Sequence, residues 1–166
     1  VGLSGDRVLS AWALVALLGH GAPEQRDAVD RAAQWLRGPE GRAWIPEDYL
    51  SKGPDNLGNW ALTSTAVALS EHHLATCEQA DRPVSARCLA ALDARMDAEG
   101  RFGHDVSVGY GGKGFNVINT LYHLAVAMGA ATGLELDESA WELSMAQLRA
   151  SISALSLIHI SEPTRR

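Results

Sequence analysis

The chain has 166 residues, of which 46% are hydrophobic and 20% charged, a composition that fits one globular domain and argues against disorder. Fourteen basic residues stand against 20 acidic ones, the net charge is -6, and no segment concentrates lysine or arginine. Because nucleic acid and anionic membranes attract basic surfaces, we expect neither as a partner. The longest apolar run, Ala11 to Gly19, is much shorter than the roughly 20 residues of a membrane-spanning helix.

The first two predicted elements are a pair of helices. Apolar residues recur at helical spacing over 7–18, with alanine between them, which predicts a helix buried on nearly all sides. The next segment, 23–38, has Pro23 in its first turn, apolar residues along one face, charges on the other, and Gly38 at its end. This pattern predicts an amphipathic helix that is half exposed.

The same alternation of a buried and a half-exposed helix follows twice more. A nearly uncharged helix is predicted over 59–77 and an amphipathic one over 82–100. A second uncharged helix is predicted over 115–133, and an amphipathic one starts behind the capping residue Asp137. The sequence therefore predicts three helical hairpins, each with an inner and an outer helix.

Cys77 and Cys88 are the only cysteines, and their spacing fits neither a CxxC motif nor a zinc site. We expect both to be buried free thiols, because cysteine is usually buried. The sequence predicts no metal and no cofactor.

An internal repeat supports the hairpin interpretation. Two stretches share an EGR sequence with an aromatic residue, then a glycine-rich loop, then an inner helix. Gly41 and Gly100 lie 59 residues apart, and Gly58 and Gly114 lie 56 apart. Such periods are typical of helical-repeat arrays, in which each unit buries a face against its neighbours. We therefore predict an all-α fold, a partial α/α toroid of about three hairpins.

The alternating helices with their "EGRAW" and "EGRFGH" turns resemble the α/α toroid of terpenoid cyclases and protein prenyltransferases, whose repeats carry a glycine-aromatic turn. Residues 60–144 are more similar still to uncharacterised bacterial proteins on that scaffold, in which "LSEHHLAT", "GRFGHD" and "YGGKGFN" occur in this order. The resemblance implies a fold and no reaction. The DxDD acid of class II cyclases, the zinc-binding set of prenyltransferases and the GCGEQ element of toroid thioester proteins do not occur in the sequence.

The domain is expected to cover residues 1–154, as a fragment of a single α/α toroid. Residues 155–166, "LSLIHISEPTRR", resemble a translated sequencing adapter and are expected not to belong to the domain. Because the chain begins at Val1 and enters a helical pattern at once, we expect its natural start to be missing, so the sequence indicates no cellular compartment. The remaining hairpins of the same chain are expected partners.

The stretch "GRFGHDVSVGYGGKGFN", residues 100–116, carries a GxGxxG pattern at Gly109, Gly111 and Gly114. A dinucleotide site needs a buried strand before this pattern, and "DVSV" is too short and too polar for one. Phe115 stands where a phosphate-binding P-loop has lysine. We interpret the loop as a close backbone approach to the end of an inner helix, with a ligand pocket at that helix end as the alternative.

Eight polar residues on this loop and on the two inner helices are the candidate site residues. We assign catalytic roles to His104, Asp105 and His123. We expect a ligand to contact Glu71, Tyr110, Lys113, Asn116 and Asn119.

The reasons for these candidates differ. A histidine beside a carboxylate can act as a general base, with a tyrosine or lysine as the acid or oxyanion partner. Asn116, Asn119 and His123 fall at helical spacing and make one face of an apolar helix polar, toward neighbouring inner helices, a ligand or water. Glu71 on the preceding inner helix either pairs with Arg101 or faces the cavity.

Two functions are compatible with these patterns. In the first, the chain is part of an enzyme-like toroid whose cavity binds a small or polymeric ligand, with a hydrolase, lyase or cyclase-like reaction. In the second, it is a non-catalytic helical-repeat scaffold or binding module, and the candidate residues only fix the geometry of the turns. Convergence of Glu71, His104 and His123 on one concave wall would favour the enzyme.

Overall fold

The computed structural model describes residues 3–38, 45, 47–51, 57–106 and 114–160, with residues 3, 4 and 153–160 described by their backbone alone. This part of the chain contains helices and no strand, which confirms the predicted all-α class. A short 3-10 helix, Pro23–Gln25, leads into the second α-helix. The described α-helices are α1 (Leu3–His20), α2 (Arg26–Arg37), α3 (Gly58–Thr76), α4 (Asp81–Arg95), α5 (Asn116–Ala131) and α6 (Glu138–Ile160).

Local signals set several of the helix ends. Asp137 is the predicted cap of α6, and its Oδ1 accepts hydrogen bonds from the amides of Ser139 at 2.9 Å and Ala140 at 3.3 Å. At the end of α3, Cys77 adopts a left-handed conformation with φ 62, and its N–H donates to the carbonyl of His73 at 2.7 Å. Such a left-handed residue is a common way for a helix to stop.

The six described α-helices are arranged in two layers. Each of the pairs α1–α2, α3–α4 and α5–α6 packs as a hairpin, and α3 packs against α1 on one side and α5 on the other. Helices α1, α3 and α5 therefore form an inner row, with α2, α4 and α6 outside it. This order agrees with the predicted alternation, while closure of such a row into a toroid stays a prediction.

Helix α3 is the centre of the core. Every residue from Gly58 to Ser70 is buried except the half-buried Trp60. The predicted burial of the inner helices is thus confirmed for α3. For one face of α1 and α5 it is wrong, because within the described part of the chain each of these helices packs against an inner helix on one side only. Their exposed residues include Leu9 at 65%, Trp12 at 38%, Val117 at 46% and Leu124 at 41%.

The outer helix α4 buries three residues of its predicted apolar stripe, and with them the charged Asp81 and Arg95. Val84, Cys88 and Leu92 are buried against the inner layer, as their spacing indicates. Burial raises the pKa of the Cys88 thiol to about 12. The prediction for Cys77 is wrong, since this residue follows the last turn of α3 and is exposed.

None of the described helices combines the length and the apolar character that crossing a bilayer requires.

Candidate functional site

The candidate residue Asp105 lies in a buried ion pair with Arg95, at the end of α4. Nη1 of Arg95 lies 2.9 Å from Oδ1 of Asp105, and neither side chain reaches solvent. The same carboxylate oxygen accepts a hydrogen bond from the amide of Val106 at 2.9 Å. Burial lowers the pKa of Arg95, and the adjacent carboxylate opposes that shift. The pair thus holds two opposite charges inside the protein.

The guanidinium of Arg95 also binds the segment that precedes α3. Its Nε donates to the carbonyl of Tyr49 at 2.6 Å, and its Nη2 donates to the carbonyl of Ser51 at 2.9 Å. Its Nη1 lies 3.4 Å from Oδ1 of Asn59. Because five N–H donors in a fixed fork can serve several acceptors at once, one arginine connects three parts of the chain.

Asn59, in the first turn of α3, holds the turn that carries the candidate histidine. Its Nδ2 donates to the carbonyls of Gly103 at 3.0 Å and Asp105 at 2.9 Å, and its main-chain N–H donates to the carbonyl of His104 at 2.9 Å. The first amides of a helix have no partner within the helix, so this turn supplies an acceptor that α3 needs.

The ring of His104 lies between two aromatic side chains. Nε1 of Trp60 donates to Nδ1 of His104 at 2.7 Å, and the ring centroid lies 4.0 Å from that of Phe115. An indole N–H can only donate, so Nδ1 of the neutral imidazole is the acceptor and the proton is on Nε2. The basic lone pair of His104 is therefore occupied by Trp60. We call Asn59, Arg95, His104 and Asp105 the turn cluster.

The predicted polar face of α5 is turned toward the outer helix α6. Nδ2 of the buried Asn119 donates to the carbonyl of Gly100 at 2.7 Å and to Oγ of Ser144 at 2.9 Å. Asn116 is exposed, and its Oδ1 accepts a hydrogen bond from Oγ of Ser151 at 3.3 Å. An outer helix was not among the neighbours expected for this face from the sequence.

His123 completes this face two turns into α5. Its ring contacts Trp141 of α6 edge-on, with centroids 6.1 Å apart, and Tyr122 with centroids 5.5 Å apart. Burial lowers the pKa of His123, which favours the neutral ring at physiological pH. The environment of His123 is aromatic and differs from that of His104.

Glu71 lies near the opposite end of α3 from the turn cluster. It is eleven residues after Trp60, which corresponds to about 16 Å along the helix axis at 1.5 Å per residue. Of the two alternatives for Glu71, the pairing with Arg101 is not seen, because Arg101 binds Asp97 at 2.8 Å and Glu99 at 2.5 Å. No ion pair among the described residues involves Glu71, and the three candidates Glu71, His104 and His123 do not converge.

Two candidates, Tyr110 and Lys113, and the first two glycines of the GxGxxG pattern lie outside the described residues. The third glycine, Gly114, has φ +65, and a β-carbon there would lie 2.9 Å from Cβ of Arg101. The amide next to it, of Phe115, donates to the carbonyl of Phe102 at 2.7 Å. At this position the backbone comes close to the turn at Arg101 and Phe102, just before α5 begins.

A second buried polar cluster was not predicted from the sequence. His72 Nδ1 lies 2.6 Å from Oδ2 of Asp81, and Nη1 of Arg37 lies 3.0 Å from Oδ1 of the same carboxylate. Asp81 is fully buried, and the cluster joins α2, α3 and α4. The available signal was the acidic residue in the first turn of α4.

Four surface cavities of the described part of the chain lie away from the candidate residues. One of about 430 Å³ lies between α5 and the start of α6, and one of about 440 Å³ lies where α1, α2 and α3 end or begin. Two smaller ones measure about 240 and 230 Å³. None of these four is lined by a candidate residue. Within the described ranges, no three His, Cys, Asp or Glu side chains are grouped as metal ligands would be.

Comparison with known proteins assigns this chain to no family. No family model, no curated protein and no solved structure matches the chain. Its functional interpretation therefore depends on the contacts of its own residues.

Proposed function

We propose that this chain is a non-catalytic helical-repeat scaffold, in which the turn cluster fixes the junction between successive hairpins. The observation that carries the proposal is the ion pair of Asp105 with Arg95, both of whose side chains are excluded from solvent. A carboxylate that acts on a substrate must reach it. Asp105 could do so only by leaving Arg95 as an unpaired buried charge, at a high cost in free energy.

Two asparagines in contact with the turn of residues 100–105, the candidate Asn119 and Asn59, also support a scaffold. Asn59 of α3 binds carbonyls at one end of this turn, and Asn119 of α5 binds the carbonyl of Gly100 at the other end. Both asparagines thus use their amide groups to hold main-chain carbonyls. The contact of Trp60 with Nδ1 further favours a positioning role for His104 over that of a general base.

The wider architecture that we propose is the α/α toroid of the sequence resemblance. Support comes from the two-layered order of the helices and from the repeated EGR turn. In a repeat array each unit contacts its neighbours, so a turn that fixes the angle between two hairpins determines the curvature of the whole row. The presence of further hairpins, and of any ligand within a toroid, is part of what we propose.

The scaffold proposal is tested by replacing Asp105 with asparagine and measuring stability in urea. Breaking a buried ion pair costs about 3–5 kcal/mol, so we expect Asp105→Asn to lower the free energy of unfolding by an amount of this order. The matched control is Asp97→Asn, which breaks a partly exposed pair with Arg101 and keeps an oxygen that can accept from the amides of Glu99 and Arg101. An exposed pair contributes about 0–1 kcal/mol, so the control should unfold near the parent.

The result that would contradict the scaffold is an Asp105→Asn protein as stable as the parent. Such a result would mean that the charge of Asp105 does not stabilise the fold. The enzyme hypothesis would then be favoured. Circular dichroism of both variants checks that each retains the helical fold.

A further inference from the structure

A cavity of about 230 Å³ lies between the outer helices α2 and α4, where α2 ends and α4 begins. The described chain lines it with two arginines, one from each helix, and with three residues at the start of α4: Arg37, Arg87, Ala80, Pro83 and Val84. No acidic side chain is among these residues, although the whole chain carries a net charge of -6. The two walls belong to neighbouring hairpins, so the cavity lies within the described row of helices.

Arg37 is held in place at this cavity by the second buried polar cluster. Its Nη1 lies 3.0 Å from Oδ1 of Asp81, and Nδ1 of His72 lies 2.6 Å from Oδ2 of the same carboxylate. Among the described residues, the guanidinium of Arg37 contacts no other acceptor. A guanidinium has five N–H donors, so most of them remain available to a ligand. Because Asp81 is fully buried, it fixes the orientation of Arg37 before a ligand binds.

Arg87 is the second cation of the cavity. It lies three residues after Val84 and four after Pro83, so the three side chains share one face of α4. Arg87 is half-buried, and no carboxylate of the described residues pairs with it. The start of α4 adds the partial positive charge of a helix N-terminus. Since Asp81 compensates the charge of Arg37 alone, the cavity favours an anion.

The repeat indicates that packing does not require these two arginines. By the offset of 59 residues between the two EGR sequences, Arg37 corresponds to Met96. By the offset of 56 residues between the glycines at the starts of α3 and α5, Arg87 of α4 corresponds to Leu143 of α6. The next pair of outer helices therefore has apolar side chains at both positions. A local departure from a structural pattern is where a function is expected.

We propose that this cavity binds a phosphate group between Arg37 and Arg87, carried by inorganic phosphate or by a small phosphomonoester. The oxygens of a phosphate point in different directions and can accept from arginines on both walls. A carboxylate has two oxygens in one plane and matches a single guanidinium. The volume of about 230 Å³ is below the roughly 300–1,000 Å³ of ordinary ligand pockets, so the ligand is small. This site is separate from the turn cluster and does not require the scaffold function.

The test is titration calorimetry of the 166-residue chain with inorganic phosphate, at an ionic strength held constant with sodium chloride. The parent should bind one phosphate per chain. Arg87→Gln removes one cation without leaving a carboxylate unpaired, and we expect it to weaken binding about 10- to 100-fold. Arg31→Gln is the matched control, because Arg31 is exposed on α2 and does not line the cavity. This variant should bind phosphate as the parent does.

A second variant tests the other wall. A neutral residue in place of Arg37 would leave Asp81 as a buried carboxylate without its arginine and would destabilise the protein. Arg37→Lys keeps a cation beside Asp81 but loses the planar fork of donors. We expect Arg37→Lys to bind phosphate more weakly than the parent. Circular dichroism checks that every variant keeps the helical fold.

Phenyl phosphate identifies the source of the phosphate group. If it binds more tightly than inorganic phosphate, the ligand is a phosphomonoester whose apolar part contacts Pro83 and Val84, and the reverse order assigns the free ion. Three results would overturn the phosphate site. These are a parent that binds neither ligand, an Arg87→Gln variant that binds phosphate as tightly as the parent, and acetate that binds the parent as tightly as phosphate does.

Discussion

Gly58 lies directly against the carboxylate of Asp105: a β-carbon added at Gly58 would be 2.5 Å from Oδ1 of Asp105 and equally close to Nη1 of Arg95. No side chain fits at that position without displacing the buried ion pair. We expect Gly58→Ala to destabilise the protein by about 1–3 kcal/mol, the usual cost of overpacking a core. Urea denaturation measures the change.

Gly19 provides the matched control, because it also lies in a helix and a β-carbon there would have no neighbour within 4 Å. Alanine is favoured over glycine within helices by about 0.5–1 kcal/mol, so Gly19→Ala should be neutral or stabilising. Equal effects of the two substitutions would mean that the ion pair is not held as tightly as its geometry indicates.

Asn119 and Asn116 are three residues apart on α5, and we expect opposite outcomes when each is changed to alanine. Asn119→Ala leaves the buried carbonyl of Gly100 without its donor, and an unsatisfied buried group costs about 1–3 kcal/mol. Asn116→Ala removes one exposed contact with Ser151 and should change stability by less than about 0.5 kcal/mol. Thermal unfolding compares the two. A larger loss for Asn116→Ala would contradict the contacts of the α5 polar face.

The turn at Gly100 approaches the backbone of α6. Gly100 has φ +78, and a β-carbon there would lie 2.5 Å from the carbonyl oxygen of Leu143. Gly133 has nearly the same φ, +79, yet its nearest neighbour would be Nη2 of Arg82 at 3.6 Å. Alanine at either position costs about 1–2 kcal/mol for its left-handed backbone.

We therefore expect Gly100→Ala to be clearly less stable than Gly133→Ala, by the additional cost of moving α6. The difference between their free energies of unfolding isolates the steric contact from the backbone conformation. Equal losses would show that α6 moves away from the turn without cost.

Asp93 is expected to make stability depend on pH. Burial raises its pKa above the ordinary 3.8, a hydrogen bond from the Tyr122 hydroxyl at 2.6 Å opposes the shift, and Asp137 adds to it. A carboxyl whose pKa is higher in the folded state opposes folding when it is ionised. This penalty is lost as the pH falls through the raised pKa toward 3.8.

Asp93→Asn removes the charge and keeps an oxygen that can accept from Tyr122. We expect it to be more stable than the parent at neutral pH, with the difference shrinking as the pH approaches 3.8. Urea denaturation at several pH values measures the difference between the two proteins, so that the titration of all other groups cancels. A difference that does not vary with pH would contradict the expected effect of Asp93.

The helices could be predicted because their signals are local. Helical spacing of apolar residues, together with Pro23, Gly38 and Asp137, placed most helix boundaries within a few residues of the observed ones. The exception is α6, which extends ten residues beyond the predicted amphipathic segment, to Ile160. The exposed faces of α1 and α5 could not be predicted, because burial depends on neighbouring helices as well as on composition.

The turn cluster could be predicted only in part. His104 and Asp105 could be selected from the sequence, but the side chain that pairs with Asp105 comes from another segment. Arg95, which pairs with it, also binds Tyr49, 46 residues earlier in the chain. One signal was present: Arg95 lies three residues after Leu92, on the buried face of α4, where a charge needs a partner. That the partner of Arg95 is Asp105 could be seen only in the tertiary structure.

The burial of α3 determines the order in which the molecule opens. To expose the amides of this helix to solvent, α1, α4 and α5 must all separate from it, which amounts to global unfolding. Helix α6 packs mainly on α5 and can detach while α3 stays enclosed. Amide hydrogens should therefore exchange with deuterium first in α6 and last in α3, so that the protein comes apart from its edge toward its centre.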